Sequence, residues 1–266
     1  MQDILQEIII RKRLEVEQQK AVIPFEQLER LLPAALKRPI VSMRAALAGS
    51  STGIIAEFKR KSPSKGWIFP DAQVQEILPE YEKAGASACS VLTDGEFFGG
   101  SLEDLRTARK LVTLPLLRKE FIIDAYQLVE SRVAGADAIL LIAAVLTPET
   151  CLQLAQKARE LQLEVLLEIH TEPELEYMNP FIDMLGINNR NLGTFETSLE
   201  HSYNLAAKIR RMDSSVLMVS ESGISRTTTV KELRQHGFRG FLIGETFMKG
   251  GQPGKALLEF INGITS

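Results

Sequence analysis

The chain has 266 residues, 45% of them hydrophobic and 24% charged, with a formal net charge of −3. That is the size and balance of one folded unit able to bury a sizeable core without a disulfide or metal staple, and it excludes the sequence-wide basic field of a nucleic-acid binder. No run of about 18 apolar residues suggests a membrane span, and Cys89 and Cys151, far apart and without metal-ligand spacing, are expected to be reduced and packed.

The N-terminal stretch MQDILQEIIIRKRLEVEQQK sets Ile4, Leu5, Ile8 and Ile9 at helical spacing and predicts a helix from Ile4 to about Lys20. Its apolar part is short for a secretory signal and no small-residue cleavage site follows, so a cytoplasmic chain is expected. Shorter helices are expected over 24–32 and 42–47. Residues 1–50 therefore read as a helical extension packed on one end of a second unit, 51–266. The pattern does not say which end.

From Ser51 onward the texture alternates. Eight short, β-rich apolar runs end in polar residues: IIAEFK (54–59), ASACSVL (86–92), PLLRKEF (115–121), ADAILLI (136–142), EVLLEIH (164–170), DMLGINN (183–189), VLMVSES (216–222) and FRGFLIGE (238–245). Between them lie amphipathic stretches such as QVQEILPEYEKAGA, SLEDLRTARKLV and YQLVESRVAGA. Ser101, Thr147 and Thr171 are placed to cap helices, and Gly85 and Gly135 to end them. Strand–helix alternation implies a parallel sheet with helical crossovers. Eight such units favour a closed (β/α)8 TIM barrel, an α/β fold, here with an N-terminal helical extension.

Residues two apart in a strand share a face, and the interior of such a barrel is filled by branched apolar side chains. Several runs break that rule at their C-terminal ends, where barrel enzymes place their chemistry. Glu57 and Lys59 share a face with each other; Lys119 shares one with Leu117, Glu168 with Leu166 and His170, Asn188 with Arg190, and Glu221 with Val219. In a closed barrel these polar groups converge on one mouth as three carboxylates, two ammoniums, a guanidinium and an amide. An internal ion-pair network is the bland explanation, but desolvating each ion costs several kcal/mol, so a working site accounts for the cluster better. His170 reads as a supporting or packing residue and not as a catalyst.

Phosphate recognition is suggested by the exits of the last two strands, ESGIS (221–225) and IGET (243–246). In such barrels the loops after strands seven and eight often hold phosphate on backbone N–H groups and a helix N-terminus. Gly223 and Gly244 leave room for that approach, and Arg190 can add a guanidinium fork. The loop KRKSPSKG (59–66) is basic and hydroxyl-rich, a solvated turn or a mobile cover over a ligand. Phe97 and Phe98, in TDGEFFGGS (93–101), form an apolar spot suited to an aromatic group or to helix packing. From the residues alone the reading reaches a phosphorylated, aromatic ligand. It leaves open a different phosphosugar barrel enzyme (a phosphoribosylanthranilate isomerase or Schiff-base aldolase) and a non-catalytic binding barrel.

The strings IIAEFKRKSPSKG, LLRKEFIID, LLEIH, GINNRNL, VSESGI and FLIGE, in this order and together with the N-terminal helix, resemble the indole-3-glycerol-phosphate synthase family over essentially the whole chain. The resemblance implies a carboxy-lyase of tryptophan biosynthesis, which converts 1-(2-carboxyphenylamino)-1-deoxyribulose 5-phosphate to indole-3-glycerol phosphate with loss of carbon dioxide and water and no metal or organic cofactor. By the same resemblance Lys119 is the general acid of ring closure and Glu168 the base of the later proton removal. Lys59 holds the substrate carboxylate and takes part in dehydration, while Glu57 positions the lysines. Asn188 and Glu221 are polar contacts to the ribulose hydroxyls and developing charges, and Ser222 lies at the same site. Ser62, Arg190, Gly223, Gly244 and the backbone of Glu245 contact phosphate; Pro63, Phe98 and Leu140 hold the aromatic ring. A monofunctional monomer is expected, with a small phosphorylated substrate and neither nucleic acid nor membrane as partner.

Overall fold

A computed structural model of the chain describes residues 4–190 and 197–266. Asn191 and Leu192 of the GINNRNL string lie outside the described residues. Four helices come first: α1 (Ile4–Val22), α2 (Phe25–Glu29), α3 (Leu32–Leu36) and α4 (Met43–Gly49). Eight parallel strands then form a closed barrel: β1 (Ile54–Phe58), β2 (Ala88–Leu92), β3 (Leu116–Lys119), β4 (Ala138–Ile142), β5 (Glu164–Ile169), β6 (Met184–Asn188), β7 (Leu217–Glu221) and β8 (Phe238–Ile243). Each of the eight apolar runs becomes one strand. The ring closes where β1 pairs with β8, Ile55 opposite Leu242. Outside the barrel run α5 (Val74–Ala84), α6 (Leu102–Leu111), α7 (Ala125–Ala134), α8 (Pro148–Glu160), α9 (Leu199–Met212), α10 (Thr227–Gln235), α11 (Glu245–Met248) and α12 (Pro253–Thr265).

The strands are buried on both faces, which is why they read as continuous apolar runs. One face of each, with Ile54, Phe58, Cys89, Val91 and Ile139, packs against the surrounding helices. The other fills the barrel with Ile55, Ala88, Leu117, Ala138, Leu140, Leu166, Met184, Val219 and Leu242. Ser101 and Thr147 cap their helices by accepting from the N–H of Asp104 and Thr150, each at 3.1 Å. Gly85 and Gly135, both left-handed, end α5 and α7. Both cysteines are free and buried.

Thr171 also caps, but the element it starts is a 3-10 helix, Glu172–Tyr177, and not an α-helix. Pro173 and Pro180 bracket a segment too short for more, and Pro180 disfavours helical backbone at the residue before it.

The extension contacts both ends of the barrel. Ile4, Leu5 and Ile8 of α1 line the cavity at the C-terminal mouth. Lys12 holds α1 there, reaching Asp94 at 2.9 Å and Glu120 at 3.0 Å in a fully buried triad. Burial alone would lower the Lys12 ammonium, but Glu120, Asp94 and Glu15 outweigh it and keep it charged above its ordinary value. At the opposite end Met43 and Leu47 of α4, both fully buried, close the bottom of the barrel beneath Ile55, Ala88 and Leu117. Ser42 caps α4 and donates to Glu164, whose carboxylate also accepts from the Arg44 N–H at 3.0 Å. Among the described residues no helix is long and apolar enough to cross a membrane.

Because Leu47 is fully buried in the floor, Leu47→Ala is expected to cost about 2–5 kcal/mol. Urea unfolding would show this as a lower midpoint at unchanged slope.

Candidate active site

The cavity at the C-terminal mouth has a volume of about 460 Å³, within the range of small-molecule sites. It is lined by all fifteen residues expected to catalyse or to bind substrate, Glu57, Lys59, Ser62, Pro63, Phe98, Lys119, Leu140, Glu168, Asn188, Arg190, Glu221, Ser222, Gly223, Gly244 and Glu245, while Phe97 and His170 are not part of its lining.

Its floor follows from the layering of the barrel. Alternate strands contribute successive layers. Ile55, Leu117, Leu166 and Val219 from the odd strands form an apolar layer. Two residues further along the same strands stand Glu57, Lys119, Glu168 and Glu221, so the topmost layer is ionic. Lys119 Nζ lies 2.5 Å from Glu221 and 3.0 Å from Glu168. Lys59 Nζ lies 2.5 Å from Glu57. Asn188 donates to the second oxygen of Glu168 at 2.9 Å. Glu57, Glu168 and Glu221 are all buried.

Charges this close fix one another's protonation. Burial would lower the Lys119 ammonium, but Glu168, Glu221 and Glu57 outweigh it and hold the proton more firmly than an ordinary lysine does. Burial likewise works against the Glu168 carboxylate, yet Lys119, His170 and the Asn188 amide prevail and hold it down at about 2. Glu221 moves the other way, up to about 7. Burial drives it, Lys119 opposes, and the negative charges of Glu168 and Glu57 add to the rise. Glu221 is nearer Lys119 than Glu168 is, and still the weaker acid, because Glu168 also has His170 and the Asn188 amide beside it while Glu221 faces the charges of Glu168 and Glu57. The two carboxylates share one ammonium and titrate as a pair. Near neutrality this layer holds an ionised carboxylate, a carboxyl able to gain or lose a proton, and a protonated amine.

The rest of the cavity divides by strand. Leu92 and Phe98 at the exit of β2, Phe121 after β3, and Leu140 and Ile142 of β4 make an apolar arc, with the Phe98 and Phe121 rings 5.9 Å apart. Arg190 after β6, Ser222 and Gly223 after β7, and Gly244 and Glu245 after β8 make a polar arc. The first loop folds over it as a short hairpin, Lys61–Ser62 against Gly66–Trp67. Arg190 donates to Ser64 of that hairpin at 3.1 Å and lies 3.9 Å from Glu245. The Ser62 hydroxyl is buried without a partner among the described residues. It faces the same cavity.

Three of the contributors not singled out in the sequence bear on the shape of the site. Gly186 of β6 lies in the barrel interior, and a Cβ there would meet the Glu221 carboxylate and Leu166. A glycine inside a strand is the signal that could have found it. Asn189 donates to the Ser222 carbonyl at 2.7 Å and to Ser220 at 3.0 Å, holding the β7 exit. There Ser222 adopts φ +69° and Gly223 φ +71°, a conformation that costs a serine on the order of 1 kcal/mol or more. Phe121 had no signal beyond being apolar at the end of a run.

This fold and site define a barrel enzyme of acid–base chemistry, with an apolar arc and an anion-suited arc flanking a lysine among carboxylates. Residues 5–260 match the family model described as indole-3-glycerol phosphate synthase. Similar proteins of that name include one from Bacteroides thetaiotaomicron, 58% identical over 99% of this chain and 100% of its own. Others come from Neisseria meningitidis serogroup C, 44% identical over 94% and 95%, and Polaromonas naphthalenivorans, 43% identical over 97% and 98%. Among solved structures, mutants of the Pyrococcus furiosus tryptophan synthase α-subunit share the fold, with TM-score 0.62 and 14% identity over 80% of this chain and 98% of theirs. The chain belongs to the indole-3-glycerol phosphate synthase family.

The raised Glu221 carboxyl makes a signed prediction. Between the unfolded value of about 4.3 and about 7, the folded protein binds a proton that the unfolded chain has released. Stability therefore falls as pH rises through that window and stays low above it. Glu221→Gln removes the dependence. It is expected to be more stable than the parent at pH 8, on the order of 1–3 kcal/mol, with the difference vanishing near pH 4. Chemical denaturation at several pH values would measure this; a variant less stable than the parent at pH 8 would refute it.

Proposed function

We propose that this chain ring-closes, decarboxylates and dehydrates 1-(2-carboxyphenylamino)-1-deoxyribulose 5-phosphate to indole-3-glycerol phosphate. One observation carries the assignment of roles. A firmly protonated Lys119 stands between carboxylates, with an apolar arc on one side and an anion-suited arc on the other.

In this reading Phe98, Pro63 and Leu140 hold the aromatic ring. Ser62, Arg190, Gly223, Gly244 and the Glu245 backbone hold the phosphate, and Lys59 holds the carboxylate. The ring carbon bearing the carboxylate attacks the ketone carbon, and Lys119 gives a proton to the ketone oxygen as the bond forms. Carbon dioxide departs and leaves its electron pair to the ring. The new hydroxyl then leaves as water with a proton from Lys59, and Glu168 takes a proton from the neighbouring carbon, completing the indole. Two protons are given and one is recovered, so one is drawn from solvent each cycle. The recovered proton returns from Glu168 to Lys119 across their 3.0 Å contact. Asn188, Glu57, Glu221 and Ser222 orient these groups and the hydroxyls of the chain.

A Schiff-base aldolase needs a lysine of lowered pKa, the opposite of Lys119 here. Borohydride with substrate is accordingly expected to trap no adduct.

Mixing the pure protein with the anilino-ribulose phosphate is expected to produce indole fluorescence. Its absence from folded protein would overturn the proposal. Lys119→Met should lower kcat by about a thousandfold with little change in KM. Arg190→Ala should act the other way, raising KM by about tenfold or more, since a charge-assisted contact contributes about 1.5–3 kcal/mol. Steady-state fluorescence assays separate the two.

A further inference from the structure

His170 directly follows β5, two residues beyond Glu168, and its ring is nearly buried. Neither ring nitrogen has a hydrogen-bond partner among the described residues. A buried polar ring without a partner calls for an explanation. Its Nε2 lies 3.3 Å from Oε1 of Glu168, the oxygen that already accepts from Asn188, while Lys119 holds Oε2.

The backbone around His170 is fixed from outside the site. Glu174 of the 3-10 helix accepts from the N–H groups of His170 and of Thr171, the latter at 2.9 Å, and its carboxylate lies 4.0 Å from Nδ1. His201 of α9 bonds the His170 carbonyl through Nε2 at 2.6 Å. Glu168, Glu174, His201 and, across the shared carboxylate, Lys119 are thus the titratable groups around the ring among the described residues. Held this way, the ring keeps Nε2 3.3 Å from Oε1 of Glu168.

We propose that His170 is a positioning residue that sets the basicity of Glu168 through its own charge. The proposal rests on the reading of Glu168 as the base of the dehydration step. As imidazolium, His170 adds a second cation to a carboxylate already facing Lys119, and Glu168 becomes too weak a base. As neutral imidazole it leaves a single hydrogen-bond donor that orients Oε1 while releasing its basicity. The rate of the late proton removal then rises as the imidazole loses its proton. An asparagine at this position keeps a donor but loses the titration.

Two measurements test this. In kcat–pH profiles, His170→Asn should move the acid limb to lower pH by about one unit or more, since Glu168's own ionisation then sets it; His170→Gln should do the same. A merely packing role would lower thermal stability and leave the limb in place, which overturns the proposal. Independently of activity, nitrogen-15 spectra follow the His170 ring, assigned by its loss in His170→Asn. Because coupling between two protonation sites is reciprocal, Glu168→Gln should change the pH dependence of the ring's nitrogen-15 signals; an unchanged pH dependence overturns the proposal. Should Glu168→Gln retain full activity, the assignment of Glu168 as base fails. That result is distinct from an inactive Glu168→Gln paired with an unshifted limb in His170→Asn, which sinks only the role of His170.

Discussion

Replacing one apolar layer of a barrel core by ions is the constraint on which the rest of the molecule depends. Glu57, Lys119, Glu168 and Glu221 occupy positions that a barrel would otherwise fill with branched aliphatics. Removing each from water costs several kcal/mol, and the close contacts of Lys119 return only part of that. The surroundings are shaped to hold the arrangement. Gly186 is bare so that the Glu221 carboxylate has space, and a Cβ at Gly244 would meet Glu57. Asn188 serves Glu168, and its own Oδ1 accepts from the Arg190 N–H at 3.0 Å. One amide thus ties Glu168 to the residue that begins the anion-suited arc.

Stability is supplied elsewhere. Below the ionic layer the barrel is largely apolar, and its open bottom is closed by Met43 and Leu47. The outer faces of the strands make one continuous core with the helices. That division suits catalysis, because groups that must change protonation during a turnover are poor structural ties, whereas buried aliphatics are indifferent to pH. Ser222 shows the same trade on the backbone. Its left-handed conformation is unfavourable, and Asn189 holds it through the Ser222 carbonyl.

Much of this was legible in the sequence because periodicity survives folding in a barrel. A run such as ADAILLI has to be buried on both faces, and eight such runs leave little choice of topology. The inward charges were legible for the same reason, since Glu57 and Lys59, or Leu166 and Glu168, share a face by strand parity alone. Contacts between segments distant in sequence were not. Nothing in IIIRKRLEV says that Lys12 ends buried between Asp94 and Glu120, because a helix with charges between apolar residues reads as a solvated surface helix. Which end of the barrel the extension covers was equally hidden, since the answer depends on where the chain travels between α1 and α4. The helix that Thr171 caps is 3-10 and short, because a good cap cannot extend a helix past Pro180.

The extension joins these two regimes. It begins over the mouth, where Ile4, Leu5 and Ile8 add apolar wall to the cavity, and ends under the floor. Its ionic anchor is placed on Glu120, the neighbour of Lys119. Glu120 in turn accepts from Thr93 at 2.7 Å, and Thr93 accepts from Arg118 at 3.0 Å. Residues on both sides of Lys119 are therefore held by buried polar bonds that point outward from the barrel, while Lys119 alone points inward. A lysine side chain is long and flexible, and its rotamer freedom is costly to suppress. Fixing the backbone on either side leaves only the side chain to be ordered, which the two flanking carboxylates do. The helical extension is thus part of what positions Lys119, although it contributes none of the charges in the ionic layer.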